Sequence, residues 1–159
     1  MAIYMKYTGI DGQVTAPGFE KQTQLSSCQF GVGRGVTSVS KNANREAGSP
    51  NVSEITVTKT FDESSVNTFN AALFGKGVQV VISFTKTSQD GKADQVYMTF
   101  TLDNTIISGY SLSSGGDLPS ESFSLNFTKI EMKSFPSDLT NKAAKPQVGT
   151  WNLATGATA

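Results

Sequence analysis

No histidine occurs in this chain, and cysteine occurs once, as Cys28. The first absence removes the commonest general base, the commonest metal ligand and the side chain that changes charge near neutrality. The second excludes an intramolecular disulfide and any metal site built on several thiolates. Neither sign of charge is in excess, since 13 Lys and Arg balance 13 Asp and Glu. Nucleic acids and anionic membranes favour a basic surplus, so neither is expected as a partner. No apolar run approaches the roughly 20 residues of a membrane-spanning helix. The N-terminus, Met-Ala-Ile-Tyr-Met-Lys-Tyr, lacks the basic stretch and apolar core of a secretory signal. The expectation is a soluble chain made in the cytoplasm, which needs another route if it leaves the cell. Charged residues make up only 16% of the chain. A near-neutral polar surface suits a protein that packs against copies of itself, because stacking meets little like-charge repulsion.

What the chain does have is alternation. Val96, Met98, Phe100, Leu102, Ile106, Tyr110 and Leu112 interleave with polar residues such as Thr99, Thr101, Asp103 and Thr105. This period of two predicts a strand with one dry face. Gly115, Gly116 and Pro119 form a turn, after which Phe123, Leu125 and Phe127 resume the alternation. The phase then slips, because the next apolar residues are Ile130 and Met132. A slip of one residue turns every later side chain to the other face, so Thr128–Lys129 is expected to hold a bulge or a passage between two sheets.

Further strands are expected at Ile3–Tyr7, Leu25–Val32, Val52–Phe61, Val78–Phe84 and Val148–Leu153, the last anchored by Trp151. Residues 38–53 have no apolar periodicity and read as a long loop, and residues 154–159 as a flexible tail. The periodicity changes once. Asp62 reads as an N-cap, Glu63 as a first-turn acid, and Val66, Phe69 and Leu73 as a helical stripe that plugs the sheet. Gly75 and Gly77 end that helix. About seven or eight strands with one short helix, and no βαβ alternation, predict an antiparallel β-barrel of two packed sheets in a single domain. Val81 and Ile107 are apolar on otherwise polar faces and are candidates for subunit contacts.

Chemistry is harder to find. Gly31-Val32-Gly33-Arg34-Gly35 resembles a phosphate-cradling loop only in its glycines, because no helix start and no Gly-Lys-Ser/Thr follow. It reads instead as a strand that bends at its glycines. Asp103 and Glu121 are the one carboxylate pair that the hairpin could bring together for glycoside chemistry. Ser137 and Lys142 are wrongly spaced for a serine–lysine pair. Cys28 reads as a small hydrophobe rather than a nucleophile. No cofactor or metal is implied, and the sequence argues against an enzyme.

Several collinear segments carry a family resemblance. The opening MAIYMKYTGIDGQVT, the segment QFGVGRGV, the junction SEITVTKTFDESS, the stretch SGYSLSSGGDLPSESFSLNFTKIE and the closing GTWNL resemble the Hcp family, the inner-tube proteins of type VI secretion. The resemblance covers almost the whole chain. It departs at Phe69, where an aliphatic residue is usual, and at Ser65-Val66, where Ser-Pro often opens the helix.

The resemblance implies a small β-barrel with a flanking helix, a homo-hexameric ring, and rings stacked into a tube. Its implied partners are the machine's spike and sheath and small effectors carried in the lumen, with export through the secretion system itself. It gives Arg34, Lys41, Arg45 and Glu46 roles in ring or stacking contacts. It places Ser113 and Ser114, beside the glycine turn, against the lumen and its effectors. The alternative is a monomeric β-barrel binding module for a sugar or protein ligand.

Overall fold

The computed structural model describes residues 1–37, 47–88, 93–136 and 144–158. Within them lie eleven strands and one helix: β1 (Ala2–Tyr7), β2 (Thr23–Leu25), β3 (Ser27–Gln29), β4 (Val32–Val36), β5 (Ala47–Val52), β6 (Ile55–Thr60), α1 (Ser65–Phe74), β7 (Val78–Lys86), β8 (Gln95–Ser113), β9 (Ser120–Asn126), β10 (Lys129–Ser134) and β11 (Gln147–Asn152). All strand pairs are antiparallel. The class is mainly β, as the alternation predicts.

The main sheet runs β2-β1-β7-β8-β9-β6-β3, with β10 joining β8 and β11 joining β10. Its two ends, β2 and β3, are consecutive pieces of one segment separated only by Ser26. One piece bonds to β1 and the other to β6, and Ser26 N donates to Thr58 O at 2.7 Å. The expected barrel is therefore an open ladder. Its ends meet through the covalent chain at Ser26, where the segment changes partner.

The long strand β8 is the axis of the fold. Its first part pairs with β7 on one side and β10 on the other, and its second part pairs with β9. The core gathers around it: Met5, Tyr7, Leu25, Ile55, Val57, Val80, Ile82, Phe100, Leu102, Phe123, Leu125 and Ile130 are buried.

A phase slip occurs where the sequence places it, and it involves two strands. Phe127 and Thr128 interrupt the run from β9 into β10, and the buried positions change from Phe123, Leu125 and Phe127 to Ile130. Thr128 N donates to Asp103 O, and Leu153 N donates to Thr128 O. Directly across, Asn104 on β8 adopts φ 49°, the left-handed region that asparagine tolerates better than most residues. β8 accordingly changes phase too. Phe100 and Leu102 point inward before Asn104, and Thr105 and Ile107 after it. A second irregularity, between Ile107 and Gly109, shifts the register against β9.

This double slip corrects the expectation for Ile107. It is 3% exposed and belongs to the core, while its neighbour Ile106 faces outward. Ile107 is thus not the outward-facing apolar residue expected on a polar face; the uniform alternation assumed for β8 breaks at Asn104. Val81 stays partly exposed between Lys6 and Thr101.

Residues 47–52, expected within a long loop, form β5 and pair with β4 in a separate two-stranded ribbon. The bulge between Arg34 and Val36 fits the reading of a strand that bends at glycines. Nor is the end of the chain a free tail over 154–158. Asn152 gathers it: Asn152 N donates to Ala157 O, Gly156 N to Asn152 O, and Ala154 N to Asn152 Oδ1. Trp151 lies opposite Ile130 and packs against the core, as expected of a closing strand.

Candidate functional site

The site with the strongest internal chemistry lies where β6 meets α1, and it grows from the alternation of β6. Ile55 and Val57 point inward, so the next inward position is Lys59. Lys59 is 0% exposed, and so is Glu121, which stands opposite it in the β6–β9 register. Two such charges survive burial only when paired and hydrogen-bonded. Lys59 Nζ lies 2.5 Å from Glu121 Oε2, 2.8 Å from Asp62 Oδ1, 2.9 Å from Ser65 Oγ and 3.1 Å from Thr60 O. Ser65 Oγ donates to Glu121 Oε2 at 2.6 Å, and the Tyr110 hydroxyl donates to Glu121 Oε1.

Asp62 is not the expected N-cap. Its Oδ1 accepts from the Ser64 amide at 2.8 Å and the Ser64 hydroxyl at 2.5 Å, and the helix begins at Ser65. Burial opposes ionisation of Asp62, but hydrogen bonds from Lys59 and Ser64 outweigh it and hold the carboxyl below its ordinary range. Burial, the bond to Glu121 and that carboxylate's charge push the Tyr110 hydroxyl upward. No helical acid complements the α1 dipole; the first turn holds none.

The helix is inverted relative to expectation. At about 100° per residue, Ser65, Thr68, Ala71 and Ala72 share one side and Val66, Phe69, Leu73 and Phe74 the other. The small residues face inward: Ser65 and Thr68 are buried, and Ala71 and Ala72 pack on the core. The large ones face out, with Val66 62%, Phe69 46%, Leu73 62% and Phe74 74% exposed. The stripe Val66, Phe69, Leu73 is thus no plug on the sheet. Among the described residues the ring contact of Phe69 is a tilted one with Tyr110, centroids 5.7 Å apart. Gly75 ends the helix, its amide bonded to Ala71 O at 2.9 Å.

The other expected site residues scatter. Arg34 sits on the ribbon, where Nε donates to Gly48 O at 2.7 Å and ties β4 to β5. Lys41, Arg45 and Glu46 lie outside the described residues, as do Ser137 and Lys142. Ser113 ends β8 opposite Ser120, and Ser114 Oγ donates to Asp117 O at 3.2 Å within the turn. Both serines are exposed.

Asp103 and Glu121 do not meet. Asp103 stands opposite Lys129 and accepts from Gln79 Nε2 at 3.0 Å, whereas Glu121 faces Leu112, nine residues further along β8. Burial raises the Cys28 thiol to about 11, in keeping with a packed hydrophobe. Among the described residues no three of Cys, Asp and Glu converge as a metal site, and no helix is long and apolar enough to cross a membrane.

Sequence reasoning missed Lys59. The signal was there, because Lys59 and Glu121 share the parity of Ile55, Val57, Phe123 and Leu125. A charge in phase with a core face, on two strands at once, marks a buried pair.

Comparison with known proteins follows the same lines. Among solved structures, a type VI secretion system protein superposes with a TM-score of 0.89 at 23% identity, covering 99% of both chains. Hcp1 from Salmonella typhimurium gives 0.79 at 16% identity over 99% of this chain and 98% of its own. A type VI secretion system effector from Yersinia pestis gives 0.75 at 16% over 94% and 98%. At these identities the likeness establishes the fold alone. Among curated proteins, none matches the chain. The family model described as "Type VI secretion system effector, Hcp" matches residues 4–133, most of the chain. With that match, the chain belongs to the Hcp family of type VI secretion.

Proposed function

We propose that this Hcp chain is a structural subunit that closes into hexameric rings, that the rings stack into a secretion tube, and that small effectors travel in the lumen. One observation carries the reading: among the described residues, apolar side chains stand exposed on two different elements, the β4–β5 ribbon and α1. Among the described residues β4 and β5 form a two-stranded sheet of their own, which exposes Val32 and Val36. A two-stranded ribbon is marginal alone and gains stability when it packs on something else. The second surface is the outer face of α1. Two different patches on one chain suit a heterologous contact, which closes into a ring when the rotation permits. The balanced net charge puts little repulsion in the way.

In this reading Arg34, Lys41, Arg45 and Glu46 serve ring or stacking contacts, and Val81 serves a contact on β7. Ser113 and Ser114 face the lumen and touch cargo. The chain performs no catalysis, carries no cofactor and leaves the cell through the machine it builds, with spike and sheath as partners.

Negative-stain imaging of the purified chain tests this. Rings with a central hole are expected. A single-chain species at every concentration up to the millimolar range would sink the reading.

A further inference from the structure

The inverted helix poses a physical problem. Turning α1 about its axis would remove Val66, Phe69, Leu73 and Phe74 from water, which is a favourable change. The residues now facing the core are small and would lose little by leaving it. Burial alone therefore favours the opposite orientation, and something else must hold this one.

We propose that the buried Lys59–Glu121–Ser65 cluster is an orientation lock that keeps the apolar face of α1 turned outward. Ser65, the first residue of the helix and on its inner face, makes three bonds inside the cluster. Its Oγ donates to Glu121 Oε2 at 2.6 Å and accepts from Lys59 Nζ at 2.9 Å and from the Asp62 amide at 2.9 Å. Rolling the helix pulls Ser65 away and brings apolar side chains against two buried charges. Lys59 and Glu121 are both 0% exposed, so no water replaces what they lose. The charges thus act against the wrong packing more than for the right one.

The lock has a second arm. Tyr110 donates to the other oxygen of Glu121 and presents its ring to Phe69. That contact sets where the outward face begins. Thr68 Oγ1 bonds Ser64 O at 3.0 Å and completes the seat.

Lys59 and Glu121 act as positioning residues, and their removal must be read by where α1 points rather than by stability alone. Thiol labelling of Leu73→Cys in a Cys28→Ala background gives that readout. With the lock intact and the chain diluted until it runs as single subunits, Cys at this site labels at the rate of an exposed thiol. In Lys59→Met/Glu121→Leu, which replaces both charges by apolar groups, labelling slows by about tenfold or more while the chain still melts cooperatively. Unchanged labelling in the folded double variant overturns the proposal. If that variant does not fold, Ser65→Ala decides, because it leaves the ion pair and removes only the helix from the lock. Amide exchange across Thr68–Ala72 then rises by about tenfold over the native chain. Exchange at the native rate in Ser65→Ala overturns the proposal equally.

Discussion

Two regions of this molecule bury their surfaces by opposite rules. In the wall formed by β7 and β8, Val80, Ile82, Phe100 and Leu102 point inward, while Gln79, Thr99 and Thr101 are at least partly exposed. At the seat of α1 a lysine, a glutamate and small hydroxyls lie inside, and four large apolar side chains lie outside. The wall is stable because apolar area leaves water. The seat is specific because two charges have partners in only one arrangement. A region that puts its apolar residues outside gives up the stability that burying them would supply.

Cutting each region in its own way sharpens the contrast. The largest effect is expected from Lys59→Met alone, which strands Glu121 in the interior and lowers unfolding free energy by about 3–5 kcal/mol in urea titration. Leu102→Ala, in the wall, costs about 2–5 kcal/mol by lost transfer and cavity terms. The two differ on repair. Lys59→Met/Glu121→Leu recovers most of the loss, because the pair was not a net source of stability. If Lys59→Met shifts the urea midpoint no more than a surface change does, about 0.5 kcal/mol, the seat is not built on its charges.

A smaller effect belongs to the joint between the two parts of β8. Asn104 holds φ 49°, and Gly77 packs so close that an added Cβ would lie 1.8 Å from Asn104 Oδ1. Asn104→Val places a β-branched residue in the left-handed region and should cost about 1–2 kcal/mol. Asn104→Gly should leave the melting temperature nearly unchanged. Equal losses from the two substitutions would mean that the backbone angle is not what selects asparagine there.

The wall was legible in the sequence because period-two alternation is a direct image of a half-buried strand. The slip at Thr128 was legible for the same reason, since the pattern itself changes parity. Its partner at Asn104 was not, because polar residues on either side of Asn104 blur the phase, and Ile106-Ile107 fits both parities. That ambiguity assigned Ile107 to the surface. The short strand β5 escaped because Ala-Gly-Ser-Pro-Asn-Val has no alternation; it pairs with β4 in a ribbon with little burial to record.

The helix was legible in position and illegible in orientation. Its stripe of Val66, Phe69 and Leu73 predicts an inward face under the usual rule, and only the in-phase Lys59 and Glu121 on neighbouring strands warn that the seat beneath is charged. Family membership was legible throughout, because it rests on long collinear segments rather than on any one side chain.

α1 shows its apolar side to the outside of the subunit. Hydroxyl-radical footprinting of the unaltered chain, diluted until it runs as single subunits, measures that orientation. Phe69, Leu73 and Phe74 are predicted to oxidise readily while Phe123 and Leu125 stay protected. Protection of Phe69 and Phe74 to the level of Phe123 in the single subunit would mean that the helix turns its apolar side inward.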